Sequence, residues 1–143
     1  MSDPLAALLD GRVPAGIYEW PAAPPPDRLS ATVAAAGWRP FALDGTRIDS
    51  RATFLAACAD AFALPHWFGH NWDALWDSLT DLSWAPAPGY VVLYDRWRAL
   101  ASADPEAWAT ARGLLADVSR HWADRDTPFA VLLTGDGRAR PDA

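Results

Sequence analysis

The 143-residue sequence contains no lysine: all 12 basic side chains are arginine, set against 18 acids for a net charge of −6. A surface of that sign repels phosphates and anionic headgroups, so neither nucleic acid nor membrane is expected as a direct partner. Cysteine is almost missing. The single Cys58 excludes an internal disulfide and a thiolate metal cluster. Its setting, FLAACADAF, suits a small buried side chain better than a nucleophile. No apolar run approaches the roughly 20 residues that cross a bilayer. The opening MSDPLAALLD carries acids where an export signal carries base, so a cytoplasmic location is expected. Repeats are absent, and the one low-complexity stretch, PAAPPP at 21–26, is short enough to be a connection.

What the chain has in quantity is apolar side chains, 51% of the total, ample for the core of one domain. Its charge is unevenly spread. Between Ala52 and Asp95 there is no arginine but five acids, Asp60, Asp73, Asp77, Asp81 and Asp95, while the rest of the chain nearly balances, 13 acids against 12 arginines. One stretch therefore carries the field, and its natural partner is cationic.

Residue patterning predicts a short helix over 4–9, a strand at 16–20, a helix over 27–36 stopped by Gly37, and a strand at 38–43 turned by Asp44-Gly45. Ser50 suits the N-cap of a helix through Phe62. Pro65 to Phe68 reads as a single turn broken by Gly69, and Asn71 as the cap of a helix to about Leu82. The runs 90–94 and 129–133 are continuously apolar, like strands covered on both faces. A long helix with Pro105 in its first turn reaches Trp122. Strands alternating with helices give an α/β fold: a three- to four-stranded, mainly parallel sheet flanked by helices. Residues 1–38 are expected to form a strand–helix extension packed on a domain at 39–134. Residues 135–143 read as a polar tail that frays.

The chemistry concentrates between Trp67 and Asp81. On a helix at about 100° per residue, Trp72, Leu75, Leu79 and Leu82 make one apolar stripe. Asp73, Asp77 and Asp81 stack on the other side, with Trp76 at the border. Such acids ordinarily form a solvated face, and Trp76 alone could be core. Like charges four residues apart repel, however, and no arginine nearby compensates them. Carboxylates beside aromatic anchors are the usual makings of a protein-binding surface.

The stretch ALPHWFGHNWDALWD, residues 63–77, resembles the signature of the barstar family, intracellular inhibitors of barnase-type ribonucleases. The likeness extends over about 40–134. It implies a barstar-like fold and a protein that binds a small basic secreted ribonuclease, blocks it by occlusion, performs no catalysis and needs no cofactor. It implies a partner-binding face of Trp67, Phe68, Gly69, Asn71, Asp73, Trp76, Asp77 and Thr80. Asp77 matches the acid that enters the nuclease active site at a phosphate position, and Asp73 should pair with enzyme cations beside it. A further family contact acid, on the long helix before the last strand, aligns with His121 here, with Asp117 and Asp124 one turn to either side. The resemblance offers Trp84, displaced by two residues, as the counterpart of the family's aromatic beyond the acidic helix, with Leu82 standing in that aromatic's place.

Two other readings compete. His66 and His70 are four apart and Asp73 and Asp77 continue the sector, so a straight helix could offer them to one divalent ion in a metal-dependent hydrolase. Gly69 between the histidines argues against that helix, and no metal is expected. The acidic face could also dock another basic protein without inhibiting it, as a non-inhibitory immunity module. Ser78 and Ser83 lack the surroundings of a nucleophile. Asp95, after a strand, is expected to cap the following turn.

Overall fold

Two apolar runs dictate the architecture. Tyr90–Asp95 forms β3, buried except for its last residue, and Phe129–Thr134 forms β4, buried throughout. In the computed structural model, which describes residues 3–65 and 67–135, these strands pair in parallel at the centre of a sheet. Strand β1 (Ile17–Trp20) adds outside β4 and β2 (Arg39–Asp44) outside β3. The order is β1-β4-β3-β2, with every neighbouring pair parallel. The expected α/β class, a three- to four-stranded parallel sheet flanked by helices, is what the chain forms.

Because side chains alternate along a strand, the central pair feeds two cores. Tyr90, Val92, Tyr94, Phe129, Val131 and Leu133 join one cluster, and Val91, Leu93, Ala130 and Leu132 the other. Four helices cover the first face: α3 (Arg51–Ala61), α4 (Trp72–Leu79), α5 (Arg98–Ala103) and α6 (Pro105–Ala123). The second face is covered by α1 (Pro4–Leu9) and α2 (Pro26–Ala35), through Leu5, Leu8, Leu29 and Val33. Each of these side chains is at most 3% exposed, and burying one contributes about 1.5–3 kcal/mol. A parallel sheet must be covered on both faces, and residues 4–35 supply one of the covers.

Local signals explain most boundaries. Ser50 and Thr53 form a reciprocal capping box at the start of α3, and the Asp104 carboxylate accepts the Ala107 N–H to start α6. Gly45 opens a single 3-10 turn, Gly45–Arg47, directly after β2. A Cβ there would lie 2.2 Å from the carbonyl oxygens of both Asp95 and Arg96, so the close approach of the two strand ends needs glycine. The Asp44 carboxylate accepts the hydroxyl and the backbone N–H of Thr46, and the hydroxyl bond leads in holding its pKa below the ordinary value.

One difference from the sequence reading concerns the region after β3. Helix α5 was not anticipated: RALASA has no side-chain cap and buries only Leu100, so it shows no periodic stripe. Asp95 ends β3 and its carboxylate accepts the Thr134 hydroxyl at 3.0 Å, while the N-cap position of α5 belongs to Trp97. Among the described residues, no helix is long and apolar enough to cross a membrane. The expected polar tail lies outside the described residues beyond Gly135.

Candidate functional site

Helix α4 is built by its ends. Asn71 accepts the Ala74 N–H through its side-chain oxygen at 2.8 Å, and its amide nitrogen donates to the Gly69 carbonyl at 3.3 Å, so one residue caps the helix and braces the loop before it. Asp73 in the first turn suits the positive end of the helix dipole. Leu75 and Leu79 are fully buried against α3 and α6.

The helix stops at Leu79, three residues short of the expected end. The Thr80 hydroxyl donates to the Trp76 carbonyl at 2.8 Å, and Leu82 turns to a positive φ of 48° while its N–H donates back to Ser78. That backbone conformation costs a branched residue about 1–2 kcal/mol. It brings Leu82 to 1% exposure, and the burial offsets the cost. Asp81 therefore lies beyond the helix rather than on it. The carboxylate column reduces to Asp73 and Asp77 on α4, with Asp81 on the turn that follows.

All three aspartates are exposed. Among the described residues none is in an ion pair; the nearest described polar contact is the Ser83 hydroxyl on Asp81 at 3.2 Å. Trp76 stands beside them at 36% exposure. Its ring meets His121 of α6 edge-on, 5.8 Å between centroids. The Trp122 indole donates to the Leu79 carbonyl at 2.8 Å, so α6 holds the last turn of α4 in place.

The loop before α4 divides its aromatic pair. Trp67 is 76% exposed, whereas Phe68 is 5% exposed and belongs to the core. Phe68 therefore anchors the loop, and of the pair only Trp67 is presented to solvent. Gly69 is exposed, and the His70 ring nitrogen Nδ1 sits 3.0 Å from the Phe68 carbonyl. Thr80 is half-buried with its hydroxyl committed to the backbone.

A groove of about 670 Å³ opens between this loop and the end of α4. Trp67 and Phe68 line it with Asp77, Ser78, Asp81 and Trp84. Trp84 is 39% exposed, and its indole N–H donates to the Phe62 carbonyl at 2.9 Å, which ties the turn after α4 to the end of α3. Sequence reasoning placed Asp81 in the carboxylate column but left Ser78 and Trp84 out of the partner-binding face. The 22-residue separation of Trp84 from its partner has no local signature, although the run of aromatics was visible.

On α6, His121 is half-buried. Its Nε2 is buried without a partner among the described residues, and Arg125 Nη1 lies 3.3 Å from Nδ1. Asp117 is paired with Arg120. Asp124 is exposed and, among the described residues, in no ion pair. Of the metal reading, His66 lies outside the described residues. Among the described residues no group of three or more His, Cys, Asp or Glu could hold an ion, so His70 and Asp73 gain no third ligand there.

The site is thus an acidic, aromatic-edged face on a short helix braced at both ends. Such a face can attract and hold a cationic surface. A family model described as barstar (barnase inhibitor) matches residues 38–134, more than half of the chain. No curated protein matches it.

Proposed function

The chain belongs to the barstar family, and from that premise we propose that it is an intracellular inhibitor of a small basic secreted ribonuclease. The observation that carries this reading is the exposure of Asp73 and Asp77, side by side on α4, without a described counter-charge. An RNA-cleaving centre gathers cationic donors around a substrate phosphate. Rigid carboxylates satisfy the same donors and offer no bond to cleave.

In this reading Asp77 enters the enzyme's phosphate position and Asp73 pairs with cations beside it. Trp76 and Trp67 supply the desolvated aromatic contacts on either side. Gly69 and Asn71 let the loop approach closely, Phe68 fixes that loop from beneath, and Thr80 ends the helix at the contact edge. The partner-facing residue on α6 is His121. Where relatives carry an acid, this chain sets a histidine beside Arg125, so the facing rim of the target is less cationic there. Asp124 is better suited than Asp117 to replace that acid, because Arg120 already engages Asp117.

Inhibition by occlusion needs no cofactor and no chemistry from the inhibitor. The test is a titration of the purified chain into a panel of small basic secreted bacterial ribonucleases, with RNA cleavage as readout. Stoichiometric suppression of one of them is expected. Binding to a basic protein with no suppression of any nuclease would favour the non-inhibitory docking module instead.

A further inference from the structure

The groove beside α4 combines features that one kind of occupant satisfies together. Two tryptophans line it, Trp67 and Trp84, 76% and 39% exposed. Two carboxylates share the lining, Asp77 and Asp81, neither in an ion pair among the described residues. An apolar side chain seated there would desolvate both carboxylates without compensation, which is costly. An anion would be repelled. A lysine ammonium would satisfy a carboxylate but is strongly hydrated and matches an indole face poorly. A guanidinium is planar, weakly hydrated, able to stack on indole and able to engage a carboxylate through two N–H groups.

We infer that the groove between Trp67, Trp84 and Asp81 is a receptor for one arginine side chain of the partner protein. This rests on the reading of the site as a surface that binds a basic protein, and deepens it: the groove lies beside the face of Asp73 and Trp76 and shares Asp77 with it. The volume of about 670 Å³ accommodates a complete arginine side chain with water around it. Trp84 is held by its bond to the Phe62 carbonyl, so this wall is set before the partner arrives. Asp81 is the discriminating element. It adds a second carboxylate to the lining of the groove, placed by the turn through Leu82 rather than by the helix. Its neutralisation should therefore accelerate dissociation as well as slow encounter.

The test uses the full chain labelled with 15N at its tryptophan indoles, titrated with N-acetyl-arginine amide, with the matched citrulline amide as the uncharged control. Indole signals are assigned by single Trp→Phe variants. Saturable shifts of the Trp67 and Trp84 signals are expected with the arginine amide and not with citrulline, while the Trp76 signal stays still. The variant D81N changes an exposed side chain without touching the core, and should weaken the arginine response by about threefold or more. Equal responses to the two amides, no response at Trp67 and Trp84, or an undiminished response in D81N overturns the inference. This titration needs no ribonuclease, so it judges the groove whether or not inhibition is found. With an inhibited ribonuclease in hand, D81N should raise the dissociation rate severalfold. An unchanged rate in D81N, alongside a large loss in D77A, overturns the groove and leaves the inhibitor reading standing.

Discussion

The indole N–H of Trp122 on α6 donates to the backbone carbonyl of Leu79, the last residue of α4, at 2.8 Å across 43 residues of sequence. A helix end leaves its carbonyls without intrahelical partners, and here a distant side chain satisfies one of them. The bond fixes the acidic helix against the longest helix of the fold, and with it the direction in which Asp77 points outward.

Replacing Trp122 with Phe keeps the ring against Tyr90, 5.5 Å away between centroids, but removes the donor. The Leu79 carbonyl then loses its partner, at an expected cost of about 1–3 kcal/mol in stability. Denaturant unfolding checks the size. Complex dissociation should also quicken, although Trp122 is not among the proposed contacts.

Two buried tyrosines predict opposite sensitivities. The Tyr90 hydroxyl donates to the Ala85 carbonyl at 2.8 Å, whereas the Tyr94 hydroxyl has no hydrogen-bond partner among the described residues. Tyr90→Phe should cost about 1–3 kcal/mol, since it orphans a buried carbonyl. Tyr94→Phe breaks no described protein hydrogen bond and should change stability by less than about 1 kcal/mol. Paired denaturation curves decide between this ranking and its reverse.

Cys58 is 0% exposed, and burial pushes its thiol pKa well above the ordinary value. Its thiolate, the reactive form, is thus both scarce and shielded. A thiol reagent such as Ellman's should modify the native chain only at the rate of unfolding, and the denatured chain at once. The sign for stability follows from linkage: the native state holds the proton more tightly. This contribution is fully present below the unfolded thiol value of about 8.5 and is lost as pH rises beyond it. Burial likewise raises the pKa of Tyr90 and Tyr94, which extends the alkaline decline past about pH 10. Unfolding free energy measured from pH 7 to 11 should fall across that range.

Much of this arrangement was legible in the sequence because the signals were local. The apolar runs at 90–94 and 129–133 read as doubly covered strands, and Ser50 and Asn71 announced their helices through side chains that reach only three residues. The legible part of the site was its charge: an arginine-free window with spaced aspartates. Non-local geometry was not legible. Leu82 continues the apolar stripe in register, so the helix seemed to reach it, yet its burial comes from a positive-φ turn. Phe68 and Trp67 are adjacent aromatics, and only the packing of the core says which one turns inward. The groove depends on Trp84 meeting Phe62, a contact between the turn after α4 and the end of α3.

Exposed carboxylates act at a distance before they act in contact. The association rate with a basic ribonuclease should fall steeply as ionic strength rises from about 10 to 150 mM, where the Debye length shrinks from roughly 30 to 8 Å. Dissociation should change much less over the same range. Stopped-flow mixing at several salt concentrations separates the two. Asp73→Asn should flatten the salt dependence of association, having removed one of the uncompensated charges.

Whether the Asp77 carboxylate fills a cationic catalytic centre is decided by the dissociation constant of Asp77→Ala against the parent, with the ribonuclease that the parent inhibits. Asp77 is exposed on a helix whose core side is made by Leu75 and Leu79, so the variant should fold as the parent does. Affinity should drop by about 2–5 kcal/mol, mostly through faster dissociation, with smaller losses for Asp73→Ala and Trp76→Ala. A folded Asp77→Ala that suppresses RNA cleavage at the same stoichiometry and affinity as the parent contradicts the account.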